Sequence, residues 1–240
     1  MDPFGGLVVG ASDVDATIGF FGTFGFVVTA RSADGAVLRM PDGAPVDVVV
    51  EASDAATAAP CDYQLGPRAL DLYTTDIDDG LAVCRDAGWS TSGVGVVSMG
   101  PVTMRQALVV GPDGMPVVLV ESTHRRSSLL DVHPDRRFSE PHSVVWAVAD
   151  LDAEAARWVA AGATRGMDLR FVEPAVSEYL GLPDSPVEIR MTMLADADVS
   201  PLRLELLEYV GRTHAEAAGG PIVALLHDRE AGGAVLTRRR

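Results

Sequence analysis

Chemistry in this chain has to come from carboxylates and arginines set into short strands, because the usual reactive motifs are missing. None of the five histidines sits near a serine or cysteine in a recognisable nucleophile motif. GVGVVSMG is a glycine-bearing strand with no helix after it, so it is not a phosphate-cradling loop. Cys61 and Cys84 are too few for a disulfide framework or a thiolate metal site. What remains is Asp47 and Glu51 in PVDVVVEAS, Asp71 and Tyr73 in ALDLYTT, Arg190 in VEIRMTML, and Arg203 with Glu205 in LRLELLEYV. Carboxylates facing an enclosed cavity have raised pKa values and act as general bases. An arginine among them anchors an acidic or phenolic ligand.

The elements that position these residues recur. SDVDA, TDIDD, ADLDA and HDREA each follow a short apolar run, so the chain writes strand, Asp and helix start four times. Asp13, Asp76 and Asp150 are good N-caps, and Gly25, Gly88 and Gly162 stop the helices that follow. Three strands complete each unit, and PDG stands before the last strand of the first two, at 41–43 and 112–114. Each unit is βαβββ, which predicts an α+β fold of tandem modules whose curved mixed sheets leave a concave cup, with helices on the convex side. The third unit carries the insertion FVEPAVSEYLGLPDSP, and the fourth runs out after its first strand. The expected layout is a first pair of modules over 1–123, a linker over 124–141, and a second half over 142–240.

Bulk properties exclude some partners. A net charge of −15 argues against nucleic acid and anionic membranes. The longest apolar runs are far short of the roughly 20 residues that span a bilayer, and the start lacks a secretory signal. A cytoplasmic, reduced setting is the plain expectation.

The V-x-D-[VL]-D-A starts, FFGTFGF at 20–26, AARWVAAGA at 155–163 and the two PDG turns resemble the vicinal oxygen chelate superfamily of glyoxalases, bleomycin-resistance proteins and extradiol dioxygenases. The resemblance implies a divalent metal held by His, Gln or Glu from the first and last strands of paired modules. Its first-strand ligand positions fall on Gly6, Ala69, Ser143 and Pro221, and its last-strand positions on Asp47, Val118 and Glu205. An ion needs three or more convergent donors, so metal is expected to be lost and no cofactor is expected. His142 is one residue from a ligand position, a slip that points a strand side chain to the opposite face unless a bulge intervenes.

Strand parity then says which side chains share the cups with the vacated positions. The first cup is expected to set Asp47, Asp71 and Tyr73 as catalytic groups over small residues, with Glu51 in contact with substrate. The second places Ser143 and Arg203 beside a catalytic Glu205, joined by Arg190 if the polar face of VEIRMTML is the inner one. Tyr179, in the insertion, is the expected contact of a lid. The bland alternative for these charged residues is a solvated, salt-bridged sheet face.

Two functions stand open. One is a metal-independent enzyme doing acid–base work (isomerisation, cyclisation or epimerisation) on a small oxygen-rich, aromatic or polyketide-like metabolite. The other is a bleomycin-resistance-like protein that binds a small molecule without catalysis. A third, a metal-dependent lyase or dioxygenase, requires His142 and Glu205 to gain a ligand from another chain. Module three must cover its sheet edge. PIVALLHD and AVLTRR do so, or another half does, in cis or in a homodimer.

Overall fold

The computed structural model describes residues 5–42, 46–53, 63–99, 101–180, 182, 186–195, 202–214, 221–227 and 235–236. Module one contains β1 (Gly6–Ala11), α1 (Val14–Thr23), β2 (Val27–Arg31), β3 (Gly35–Arg39) and β4 (Asp47–Ala52). Module two contains β5 (Gly66–Thr74), α2 (Ile77–Asp86), β6 (Ser90–Thr91), β7 (Gly95–Met99), β8 (Val102–Val110) and β9 (Pro116–Ser122). After α3 (Leu129–Val132), module three adds β10 (Phe138–Ala147), α4 (Leu151–Ala160), β11 (Thr164–Val172), α5 (Pro174–Tyr179), β12 (Glu188–Ala195) and β13 (Arg203–Tyr209). The last described strands are β14 (Ile222–His227) and β15 (Val235–Leu236).

The three repeated caps form as their sequence implies. Asp13 and Asp150 each accept one first-turn amide, from Ala16 at 2.9 Å and Ala153 at 3.0 Å, and Asp76 accepts those of Asp78 and Asp79. Gly25, Gly88 and Gly162 follow with φ of +94°, +89° and +106°, a left-handed conformation that suits glycine at a helix stop. Asp42 and Asp113, the central residues of the two PDG turns, also take positive φ. Asp113 accepts both the amide and the hydroxyl of Ser12, which ties the turn of module two to the start of α1.

The strands form two mixed sheets with an α+β architecture. One runs β15-β14-β1-β4-β3-β2, and the other runs β11-β12-β13-β10-β5-β9-β8-β6 with β7 beside β8. The modules therefore pair differently from the sequence expectation. Module two joins module three through the antiparallel β5–β10 pair, while module one takes β14 against β1. Module three covers its sheet edge in cis, and PIVALLHD serves module one. The physical reason is that every module offers the same kind of first-strand edge. A repeat pattern says that edges must be covered but not which two meet.

One continuous core joins the convex faces of both sheets to α1, α2 and α4, with Leu7 and Val48 from the smaller sheet and Leu70, Leu119 and Leu204 from the larger. Edge-to-face contacts of Phe20 with Trp89 and of Phe24 with Phe138 stitch module one to the other two. A second cluster lies on the other face of the larger sheet, among residues such as Tyr73, Val118, Met191 and Leu207. That face is the cup. Among the described residues, no helix is long and apolar enough to cross a membrane.

Candidate functional site

The cup of the larger sheet encloses a cavity of about 650 Å³. Its walls are apolar: Met104 from β8, Val118 and Val120 from β9, Ile189 and Met191 from β12, and Leu207 from β13. The insertion of module three closes one side, since α5 packs against β7 and β8 and contributes Val176. Tyr179 is the last residue of α5, but its side chain lies outside the described set.

Polar groups are concentrated on the floor. The β5–β10 register sets Ser143 opposite Asp71, and the β10–β13 register sets Ser143 opposite Arg203 and Val145 opposite Glu205. Parity therefore delivers Ala69, Asp71 and Tyr73 from β5 and Arg203, Glu205 and Leu207 from β13 to one cavity. Ser143 Oγ donates to Asp71 Oδ2 at 2.7 Å, while Asp71 Oδ1 is buried with no hydrogen-bond partner among the described residues. Burial pushes the Asp71 carboxyl up to about 7, against the smaller opposing pulls of the Ser143 hydroxyl and Arg203. Burial, followed by the charge of Asp71, raises Glu205 as well. Two carboxyls in one dry cup resist ionising together, so the pair retains a proton near neutral pH.

His142 is the cavity residue that strand parity missed. The β5–β10 pairing slips on either side of Pro141, and this irregularity lets His142 line the cavity while the adjacent Ser143 holds Asp71. Ser139 compensates for the slip: its hydroxyl accepts from the Tyr73 amide at 2.9 Å and donates to the Glu140 carbonyl. A proline inside a strand was the signal available in the sequence. Arg203 Nη2 lies 3.2 Å from His142 Nδ1, and a guanidinium only donates. The geometry thus makes Nδ1 the acceptor and leaves the hydrogen on Nε2, which is buried without a partner among the described residues. Burial, then Arg203 and Arg126, hold the pKa of His142 well below the usual histidine value, so the imidazole is neutral.

Several expected site residues lie elsewhere. Asp47 belongs to the smaller sheet, where it pairs with Arg39 at 2.7 Å, so it does not join Asp71 and Tyr73. The cause is the module pairing, which puts β4 and β5 in different sheets. Glu51 lines a shallow groove between β3 and β4 and not the cup. Arg190 faces the convex side: Ile189, Met191 and Met193 take the inner positions of β12, and Arg190 pairs with Asp152 at 2.6 Å and Glu208 at 3.0 Å. The apolar set of β12 turns inward because the walls of this cup are apolar.

Comparison with solved structures gives the architecture a precedent. The V278E variant of glyoxalase I from Zea mays aligns with a TM-score of 0.64 at 19% identity, over 89% of this chain and 69% of that one. Unsubstituted Zea mays glyoxalase I aligns with a TM-score of 0.61 at the same identity and coverage. The chain has the fold of glyoxalase I. Neither a family model nor a curated protein sequence matches it.

The glyoxalase fold raises the question of a metal, and the donor set answers it. Of the positions where the superfamily places ligands in this cup, Ala69 and Val118 carry no donor, and Ser143 is committed to Asp71. At those positions Glu205 alone remains. Among the described residues no three His, Cys, Asp or Glu side chains converge as a metal site would require. The residues of this cup do not fit a divalent cation.

Proposed function

We propose that this glyoxalase-fold chain is a metal-independent enzyme that moves a proton within a small, mainly apolar substrate. The observation that carries this reading is the pair of carboxyls, buried Asp71 and half-buried Glu205, facing one apolar cavity. Asp71 is held by Ser143 through Oδ2, which leaves Oδ1 as the proton acceptor. Glu205, further raised by the charge of its neighbour, keeps its proton and acts as the acid. The Nε2–H of the neutral His142 donates to a substrate oxygen on which charge develops. The walls and α5 exclude water, which strengthens each of these interactions.

A base, an acid and one hydrogen-bond donor suffice for isomerisation, epimerisation or cyclisation of an oxygen-bearing molecule with an acidic C–H bond. Aromatic and polyketide-like metabolites have such bonds and the apolar bodies that the cup accommodates.

The apolar lining favours a second reading, in which the cup sequesters a small molecule without chemistry. One experiment separates the two. The protein is incubated in D₂O with a panel of enolisable cyclic diketones and aryl ketones, and deuterium incorporation is followed by mass spectrometry. Catalysed exchange that drops at least ~100-fold in both Asp71→Asn and Glu205→Gln supports the enzyme. Tight binding of panel members with no catalysed exchange makes the protein a sequestering one.

A further inference from the structure

The chain carries a formal charge of −15, yet its cup has the opposite sign. Arg68, Arg126, Arg170 and Arg203 line the cavity against only two acids, Asp71 and Glu205. Those two retain a proton between them at neutral pH, so they carry less negative charge than the four guanidiniums carry positive. Arg170 is engaged by Glu188, and Arg68 lies beside Tyr209.

Arg126 differs from its neighbours in the segment between β9 and β10. Arg125 pairs with Asp131 at 2.6 Å, Arg137 pairs with Asp79 at 2.6 Å, and Arg136 reaches the Pro41 carbonyl at 2.9 Å. Arg126 has no ion pair or hydrogen bond among the described residues, and it stands at the rim of the cavity. Arg203 lies deeper, with only the carbonyl and Nδ1 of His142 as hydrogen-bond partners and no carboxylate within ion-pair distance among the described residues. Both guanidiniums line the same cavity, where the charge of Arg203 disfavours protonation of Arg126 and both act on His142. Like charges gathered at one side of an apolar cavity cost free energy unless an anion enters between them.

We infer that the cup takes a small organic acid, its carboxylate held between Arg126 and Arg203 and its apolar body laid against Val118, Met191 and Leu207. Planar guanidinium forks match a carboxylate. The inference shares its cavity with the proposed enzyme but needs no catalysis.

The test uses matched pairs: 2-naphthoate and 2-naphthamide, benzoate and benzamide, octanoate and octanamide, with 2-naphthyl phosphate as a further arm. Binding to the full chain is measured by calorimetry at low and moderate salt. At least one acid is expected to bind about tenfold or more tightly than its amide, a preference that weakens with salt and vanishes in Arg126→Gln. Because Arg126 is at an exposed rim, this variant is expected to fold, which its melting temperature verifies. Arg190→Gln, on the convex face, should retain the preference. The inference is overturned if no acid exceeds its amide, if nothing in the panel binds, if the preference survives in Arg126→Gln, or if the phosphate outcompetes the carboxylate. Loss of deuterium exchange with an intact acid preference sinks the catalytic reading alone, and the reverse pattern sinks this one alone.

Discussion

His142 lies flat on Tyr73, with ring centroids 3.8 Å apart and planes 8° from parallel, and both rings line the cup. The stack fixes the imidazole plane while Arg203 fixes its tautomer, so the Nε2–H is held in place before any ligand arrives. The Tyr73 hydroxyl has no hydrogen bond among the described residues, which gives the ring and the oxygen separable roles. Tyr73→Phe should leave urea stability within about 1 kcal/mol and leave the His142 imidazole ¹⁵N shifts unchanged. Tyr73→Ala should lose roughly 3–5 kcal/mol and shift those resonances. Equal stabilities for the two variants would show that the ring does not pack as described.

The Asp71 carboxyl makes stability depend on pH in the opposite sense to a salt-bridged aspartate. Its folded pKa is raised from 3.8 to about 7, so the folded state binds this proton more tightly than the unfolded chain does. The associated stability is fully present below pH 3.8 and is lost as pH rises to about 7. Asp71→Asn removes that loss. The variant should exceed the parent chain at pH 8 by on the order of 2–4 kcal/mol in chemical denaturation. Glu205 has a shift of the same sign, so some decline with pH remains in the variant. Parallel curves for the two proteins between pH 4 and 8 would mean that Asp71 is not buried as described.

Arg190 provides a control outside the cup. Its partners Asp152 and Glu208 are on the convex side, and its side chain is 31% exposed, so solvent weakens the network. Arg190→Gln should lower stability by about 0.5–1 kcal/mol while leaving deuterium exchange and acid binding at parental levels. A collapse of either activity would put Arg190 back in the site.

Gly111 tests the seam between module one and module two. A Cβ at this position would fall 2.6 Å from the ring of Phe20 on α1, which is fully buried. Gly111→Ala should cost about 1–3 kcal/mol by overpacking, and Phe20→Leu in the same chain should recover part of it. Additive losses in the double variant would disprove the contact.

The donor set also sets an expectation for metals. Protein purified without chelator should carry far less than one equivalent of zinc, iron, manganese, nickel or cobalt by elemental mass spectrometry, and His142→Ala should not alter the content. A full equivalent per chain that is lost in His142→Ala or Glu205→Gln would restore a metal centre to this cup.

Sequence and structure agree where one local rule suffices. Alternation along ALDLYTT and LRLELLEYV puts Asp71, Tyr73, Arg203 and Glu205 on cup faces, because a strand has only two sides. The same rule is blind to which side faces inward, so VEIRMTML left Arg190 open. The apolar company of Met191 and Met193 on the cup wall decides it. Asp47 was misplaced by a non-local choice, the edge that β5 selects as its partner. His142 needed a register slip beside Pro141, and Arg126 lies in a segment with no periodicity to read.

The strand pairing also orders how the molecule can be made. The larger sheet gathers β5 to β13 from one unbroken middle stretch, whereas the smaller sheet sets Gly6 of β1 against Leu226 of β14. Closing so long a loop is slow, and until it closes one edge of β1 is bare. The larger sheet can pair its own strands while β1 still waits for its neighbour, so partly folded chains are most vulnerable to sticking together through module one, away from the cup.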